Sequence, residues 1–408
     1  MQYISRYAER KFILLSEFFK AVLVTGARQV GKTTMLKHLA DGQGRTYVSL
    51  DNMMARNMAK SDPVLFFQTY KPPILIDEVQ YAPELFSQIK IICDGSEENG
   101  LFWLTGSQKF AMMKNVKETL AGRIGIMELF SMSIGEKDGV PFEDELDFSL
   151  SCLQSRQSNA KGNDVIHIFE HIWRGGMPQV LCADAEQRNE YYNSYVNTYI
   201  IRDAIELGGM TDSLRFAKFM TACAALISQL VNYRTLANAA DISEPTAKEW
   251  LRILDGLGII YLLQPFSSNE LKRLTKAPKL YFCDTGLAAH LSMWPTRDTL
   301  LAGAASGHYF ENHVIIELLK HYSYSRSKVN MTFFSDSNGK EIDLLIERNA
   351  FIHPLEIKKT ANPNNRDVKK FAELDNTAAN RGYGGVICLC AETMPIDSKN
   401  CFIPCSLI

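Results

Sequence analysis

The 408-residue chain has no long hydrophobic run. Charged residues break every apolar stretch short of the roughly 20 residues that a membrane-spanning helix needs, and the opening M-Q-Y-I-S-R-Y-A-E-R has no apolar signal core. A cytoplasmic chain without membrane contact is expected. An excess of one charge is missing too: 44 basic residues against 46 acidic ones give a formal charge of -2. That balance excludes a uniformly basic nucleic-acid binder and leaves room only for a local basic face. The nine cysteines form no C-x-x-C pair and no Cys/His array of zinc spacing. They read as buried thiols of a reducing compartment, with Cys388 and Cys390 alternating along an apolar, strand-like run. No internal repeat or low-complexity tract is present. What remains is an ordinary globular composition, 46% hydrophobic and 22% charged, at a length that implies two or three domains.

From Ala21 to about Phe130 short apolar runs alternate with amphipathic ones, the pattern of a parallel sheet covered by helices. The predicted strands are Ala21–Thr25, Thr46–Leu50, Ile74–Asp77, Leu101–Thr105 and Gly125–Leu129. The stretch between Gly139 and Asp164 is polar and reads as an insertion or linker. Helical periodicity follows from Val165 to about Phe266. Within it, a short helix Thr235–Ala240, Ser243 as N-cap, a second helix Glu244–Leu254 and the apolar I-I-Y-L-L give the order of a winged helix-turn-helix. From about Gly307 the text returns to an α/β pattern.

G-A-R-Q-V-G-K-T-T, Gly26 to Thr34, fits the phosphate-binding pattern G-x-x-x-x-G-K-[ST]. Gly26 and Gly31 let the backbone N–H groups of Ala27, Arg28, Gln29 and Val30 turn toward a phosphate at the positive end of the next helix. Lys32 would reach the β/γ-phosphates of ATP, and Thr33 would give a hydroxyl to Mg²⁺. I-L-I-D-E is a buried strand that delivers two carboxylates to its C-terminal edge. Asp77 is the candidate Mg²⁺ partner and Glu78 the residue that polarises the attacking water. Ser107, at the end of L-F-W-L-T-G-S-Q, reads as a γ-phosphate sensor or as a helix N-cap. Arg123 reads as an arginine finger, serving its own site or a neighbour's, or as an ordinary surface arginine.

Together with L-A-G-R and W-R-G-G-M-P, these segments resemble a widespread family of prokaryotic AAA-type ATP-binding proteins. The resemblance covers essentially the whole chain. It implies a P-loop ATPase with sheet order 5-1-4-3-2, in which Glu78 is the catalytic base. It also implies that Gly176 and Pro178, in Gly176-Met177-Pro178, contact nucleotide from a helical lid, and that a C-terminal restriction-endonuclease-like domain has no assigned activity. On this reading the ATPase domain spans 1–138, the linker 139–164, the lid 165–210, the winged-helix region 211–300 and the nuclease-like domain 301–408.

The residues near the C-terminus carry a pattern of their own. Asp343, Glu356 and Lys358 resemble the D…E-x-K centre of such nucleases, and Glu311 matches an additional acidic residue. In that role the carboxylates would hold Mg²⁺ while Lys358 polarises water for attack on a phosphodiester. E-x-K occurs three times here, but only Glu356/Lys358 lies on an apolar strand with an Asp about a dozen residues upstream. Thr246, Lys248, Glu249 and Arg252 are candidates for the exposed face of the second helix, with Lys248 and Arg252 one turn apart for a DNA phosphate.

The expected function is therefore a Mg²⁺-dependent ATPase whose nucleotide state controls a winged-helix and nuclease-like module acting on DNA. Two alternatives stand beside it. One is a slow nucleotide-gated protein- or DNA-binding switch with a vestigial nuclease fold; the other is an ATP-regulated DNA endonuclease. Oligomeric state stays open, with a ring or a dimer as the candidates.

Overall fold

The computed structural model describes residues 3–107, 119–159, 164–208, 212–266, 277–336, 339–376 and 380–408. The chain forms two compact units whose segments alternate along the sequence. One comprises Met1–Met132, Asn197–Thr211 and Arg252–Ile259; the other Ser133–Val196, Asp212–Leu251 and Ile260–Ile408.

The first unit is built on five parallel strands: β1 (Ala21–Thr25), β2 (Thr46–Ser49), β3 (Ile74–Asp77), β4 (Phe102–Thr105) and β5 (Ile124–Glu128). Their spatial order is β2-β3-β4-β1-β5, the expected 5-1-4-3-2 read from the other edge. β1, β3 and β4 are buried along their whole length, so their apolar runs need no alternation. Leu23, Ile76, Phe102 and Leu104 pack with Phe66, Phe86 and Ile89 on one face. Each such side chain contributes about 1.5–3 kcal/mol of burial, an upper estimate for a chain that is already partly collapsed when unfolded. On the other face, helix Ala8–Phe18 lays Phe12 edge-on to Trp103, with centroids 4.7 Å apart, and Ser16 Oγ accepts the indole N–H at 2.7 Å.

In the second unit, helices Ser213–Ala225, Tyr233–Ala240 and Glu244–Gly256 precede β6 (Ile260–Pro265) and β7 (Lys279–Phe282), an antiparallel pair; the last turns of Glu244–Gly256 belong to the first unit. Ser243 caps its helix as expected, accepting the Thr246 N–H at 3.2 Å. β6 then pairs in parallel with β8 (Asn330–Ser335), which runs antiparallel to β9 (Glu341–Arg348), itself antiparallel to β10 (Phe351–Lys358). Farther out lie β12 (Gly384–Cys388) and β14 (Asn400–Pro404), parallel to β10; β11 (Asn380–Arg381) pairs beside β10, and β13 (Met394–Pro395) with β14. Segment Asn365–Asn376 covers one face through Val368, Phe371 and Leu374. Helix Ser306–Tyr324 packs against β7 and β10.

The polar stretch after Gly139 is folded into this unit. Leu146, Phe148 and Leu153 are buried, and Arg156, on helix Leu150–Asn159, donates to the carbonyl of Leu407 at 2.8 Å. Its few apolar residues anchor it, which its polarity on average conceals. All nine cysteines are free thiols; Cys388 and Cys390 are buried, whereas Cys182 is exposed. Among the described residues, no helix is long and apolar enough to cross a membrane.

Candidate active site

β1 ends at Thr25 and the chain turns through Gly26 (φ 131°), Gln29 (φ 63°) and Gly31 (φ 98°) into helix Lys32–Ala40. The first of these must be glycine. A Cβ at Gly26 would stand 2.1 Å from the carbonyl oxygen of Leu129. Ala27 and Val30 are buried, Gln29 and Thr34 exposed. Lys32 is buried and donates to the carbonyls of Gly26 (2.9 Å) and Ala27 (2.8 Å), so its ammonium sits inside the loop. Burial lowers it to about 8, while the charges of Glu78 and Asp77 act in the opposite sense.

β3 carries Asp77 and Glu78 to the same edge of the sheet. Asp77 Oδ1 accepts from the Thr33 hydroxyl at 2.6 Å and from the Thr105 hydroxyl; Tyr47 donates to Oδ2 at 3.4 Å. Thr33 and Asp77 thus form a side-by-side pair of hard oxygen donors, the chemistry that suits Mg²⁺. Glu78 takes a left-handed conformation (φ 57°), and its N–H donates to Thr105 Oγ1 at 3.1 Å. Gln80 donates to the Glu78 carboxylate and, at 3.2 Å, to Ser107. β4 lies between β3 and β1, which puts Ser107 at the same edge. The rest of that segment, from Gln108, lies outside the described residues.

Arg123 is elsewhere. Its carbonyl accepts the N–H of Ala21, the first residue of β1, so it marks the N-terminal edge of the sheet, about 16 Å of strand away from the phosphate loop. Its guanidinium grips Asp94 through two bonds, one of 3.2 Å. A role at the γ-phosphate of its own loop is corrected by this position: because β1 and β5 run parallel, a residue that enters β5 and the loop that leaves β1 stand at opposite ends of the sheet.

Other partners of the loop leave no trace in the sequence pattern. Arg28 Nε is 2.5 Å from Asp203 Oδ2, on helix Ile201–Gly208, and its guanidinium also donates to Tyr81 at 3.2 Å. Burial opposes the charge of Arg28, yet Asp203 and Tyr81 raise its pKa and hold it ionised. Arg6 donates to the carbonyls of Val30 (2.9 Å) and Phe130 (2.7 Å). Gly258, at φ 69°, lies so close that a Cβ would be 3.2 Å from the nitrogen of Ala27.

The matching family of AAA domains covers residues 18–137, the span that holds Lys32, Thr33, Asp77 and Glu78. Residues 18–137 thus carry a P-loop ATPase domain of the AAA type. Two further matches are domains of unknown function, DUF8612 over residues 166–298 and DUF4143 over 306–408. Uncharacterized proteins of Mycobacterium bovis and Mycobacterium tuberculosis are each 26% identical to it over 345 residues, 84% of this chain and 71% of theirs. Among solved structures, a Walker-type ATPase of Pyrococcus abyssi is 14% identical with a TM-score of 0.42, covering 71% of this chain and 96% of that one. The Holliday-junction branch-migration motor of Thermotoga maritima is 16% identical with a TM-score of 0.33, covering 67% and 95%.

In the second unit, Gly176 donates its N–H to Asp284 at 2.8 Å, and Tyr192 donates to the same carboxylate at 2.7 Å. Pro178 opens the short turn Pro178–Val180. The W-R-G-G-M-P segment is thus a packed node in which the N–H of Gly176 is already committed.

The nuclease-like residues do come together, but not around one point. β9 brings Asp343, β10 brings Glu356 and Lys358, and helix Ser306–Tyr324 brings Glu311. Asp343 and Glu356 each lie one residue beyond the Leu344–Leu355 pair. Lys358 is 2.6 Å from Glu356 and 4.0 Å from Asp343, whose Oδ2 accepts the Ile357 N–H at 2.9 Å. Burial, with the charge of Asp343, raises Glu356 to about 7, and Glu311 likewise. The convergence of Glu311, Asp343 and Glu356 that a shared metal would need is not found. Among the described residues, the three donors that lie within 4.8 Å of one another are His171, His313 and Glu317. Those are fully interior, with Lys137 2.7 Å from His171 and Lys320 2.9 Å from Glu317. With an ammonium on either side, this is a buried ion-pair network of the core.

Proposed function

We propose that the protein hydrolyses ATP and that the nucleotide state of its loop governs the C-terminal module. The observation that carries this reading is the Thr33–Asp77 pair at 2.6 Å, aligned with buried Lys32 and with Glu78 at one sheet edge. Lys32 would leave the carbonyls of Gly26 and Ala27 to neutralise the β/γ-phosphates. Thr33 and Asp77 would hold Mg²⁺, which when bound offsets phosphate charge. Glu78 would accept hydrogen bonds from the attacking water and orient it, while Ser107 and Gln80 position the γ-phosphate side of the site. Phosphate release from ATP by the purified protein, compared with Lys32→Ala, tests the reading; equal rates in the two proteins would overturn it. Glu78→Gln should still bind ATP but lose on the order of 10²–10⁴ in kcat.

A slow nucleotide-gated switch is the second reading. The bond from Gln80 favours it, because that bond occupies the Glu78 carboxylate. If that bond restrains turnover, Gln80→Ala should raise kcat.

For the module itself, the helix-turn-helix followed by an antiparallel hairpin supports a winged helix. Exposed Lys248, with Arg252 one turn on, fits a DNA phosphate contact. Lys248→Glu should weaken binding to duplex DNA of any sequence and reduce the salt slope by about 1. A role for Arg123 at a γ-phosphate would belong to a neighbouring copy of the chain, in a dimer or ring.

A further inference from the structure

We propose that Lys279 is the resident cation of the C-terminal acidic cluster, an ammonium standing where a divalent ion would have to sit. Lys279 opens β7 and is nearly inaccessible, its side chain 4% exposed. Its Nζ is 2.5 Å from Glu341, 3.1 Å from Glu311 and 3.9 Å from Asp343, and 5.7 Å from the ring centroid of Phe333. Carboxylates from β9 and from helix Ser306–Tyr324 therefore point at one nitrogen. Tyr281, two residues along the same strand, donates to Glu311 at 2.8 Å and fixes the orientation of that carboxylate.

The remaining half of the cluster is closed in the same way. Glu356 has Lys358 at 2.6 Å on one oxygen and Lys370 at 2.6 Å on the other, and Lys358 is 4.0 Å from Asp343. Each of the four carboxylates thus has an ammonium within 4.0 Å. A Mg²⁺ ion takes oxygen donors at about 2.0–2.1 Å in near-octahedral array. Here the donors are spread around lysine nitrogens at salt-bridge distance, and an incoming dication would have to displace or abut two ammoniums. The D…E-x-K residues therefore do not fit a metal centre as they stand. What they fit is a core in which three ammoniums offset most of the charge of four carboxylates and tie β7, β9, β10 and the Ser306–Tyr324 helix together without an ion. A lysine carries one charge and three donors, so it satisfies the same carboxylates that a metal would, while offering no Lewis acid to a phosphodiester.

The inference concerns the second unit alone and does not rest on ATP turnover. The full-length protein, free of nucleotide, is titrated with Mn²⁺ and free ion is read by electron paramagnetic resonance; near-UV circular dichroism and the cooperative melting of the whole chain serve as the folding control. The wild-type chain should show no Mn²⁺ site that Asp343→Asn removes. Lys279→Met, of similar length and uncharged, should gain one site binding at least tenfold more tightly than any in the wild type. That site should vanish in Lys279→Met/Asp343→Asn. A wild-type site lost on Asp343→Asn overturns the proposal, as does a Lys279→Met protein that passes the folding control but gains none. If Lys279→Met fails to fold, Lys279→Gln takes its place, and the wild-type comparison with Asp343→Asn decides independently.

Discussion

Removing the Asp203 carboxylate should loosen the phosphate loop from a position 175 residues away in sequence. In Asp203→Ala, the Arg28 guanidinium keeps its bond to Tyr81 but loses the carboxylate that balances its charge. Deleting one partner of a fully buried ion pair costs about 3–5 kcal/mol. Asp203 meets that condition at 3% exposure; Arg28, at 12%, retains some access to water, which brings the expected loss to about 2–3 kcal/mol. In a unit of roughly 150 residues this lowers Tm by about 5–10 °C. Differential scanning calorimetry with and without ATP is the assay. The drop should fall on the transition that ATP stabilises, and nucleotide affinity should fall with it. The double variant Arg28→Leu/Asp203→Leu should recover most of the stability, because it leaves no unpaired charge behind. A single variant that melts within about 1 °C of the wild type, where that Tm scale implies a loss near 0.5 kcal/mol or less, would refute the reasoning.

Three further outcomes follow from the same geometry. Gly258→Val forces a β-branched residue into left-handed backbone against Ala27, at about 1–2 kcal/mol, and should weaken ATP binding about 5–30-fold in a fluorescence titration. Lys32, lowered by burial to about 8, binds fewer protons when folded and nucleotide-free than when unfolded. ATP affinity should therefore fall up to about tenfold per pH unit above pH 8, and a flat profile to pH 9.5 would contradict this. His313 and His290, pushed down to about 4 by burial, and His321, to about 3, stay neutral in the folded state. The unfolded chain binds more protons between about pH 4 and 6.5, so stability present above 6.5 is lost on acidification, by about 1.4 kcal/mol per pH unit for each histidine. Calorimetry at pH 7.5 and 5, with His313→Gln/His321→Asn as the variant that flattens the fall, checks it.

The strands and the candidate site residues at their ends in the first unit were legible because their signals are local. A run such as I-L-I-D-E both forms a buried strand and ends on its chemistry, and Gly26 to Thr33 fix loop, helix start and lysine within eight positions. Ser243 marked a helix start for the same reason. The strand order came from resemblance rather than from patterning. Arg28 with Asp203 and Gly258 against Ala27 were out of reach, since a pairing across most of the chain leaves no periodicity. Lys279 was hidden differently: K-L-Y-F shows only a lysine at the head of an apolar run, and only the carboxylates folded around it reveal a buried cation. Of the readings open for Arg123 only the one at its own loop fell, because it depends on the end from which β5 enters the sheet.

The alternation of the two units along the chain also sets a clock. At about 5–20 residues per second, the ribosome needs roughly 9–35 s after adding Arg28 to deliver Asp203, and longer still to reach Gly258. For that interval a nascent chain has a phosphate loop without the carboxylate and the glycine that hold it from the far side. Nucleotide bound early would be bound to an incomplete pocket, and a polypeptide truncated after the fifth strand would freeze that stage permanently. Competence to hold ATP is in this sense a late report that most of the polypeptide has been made and correctly threaded.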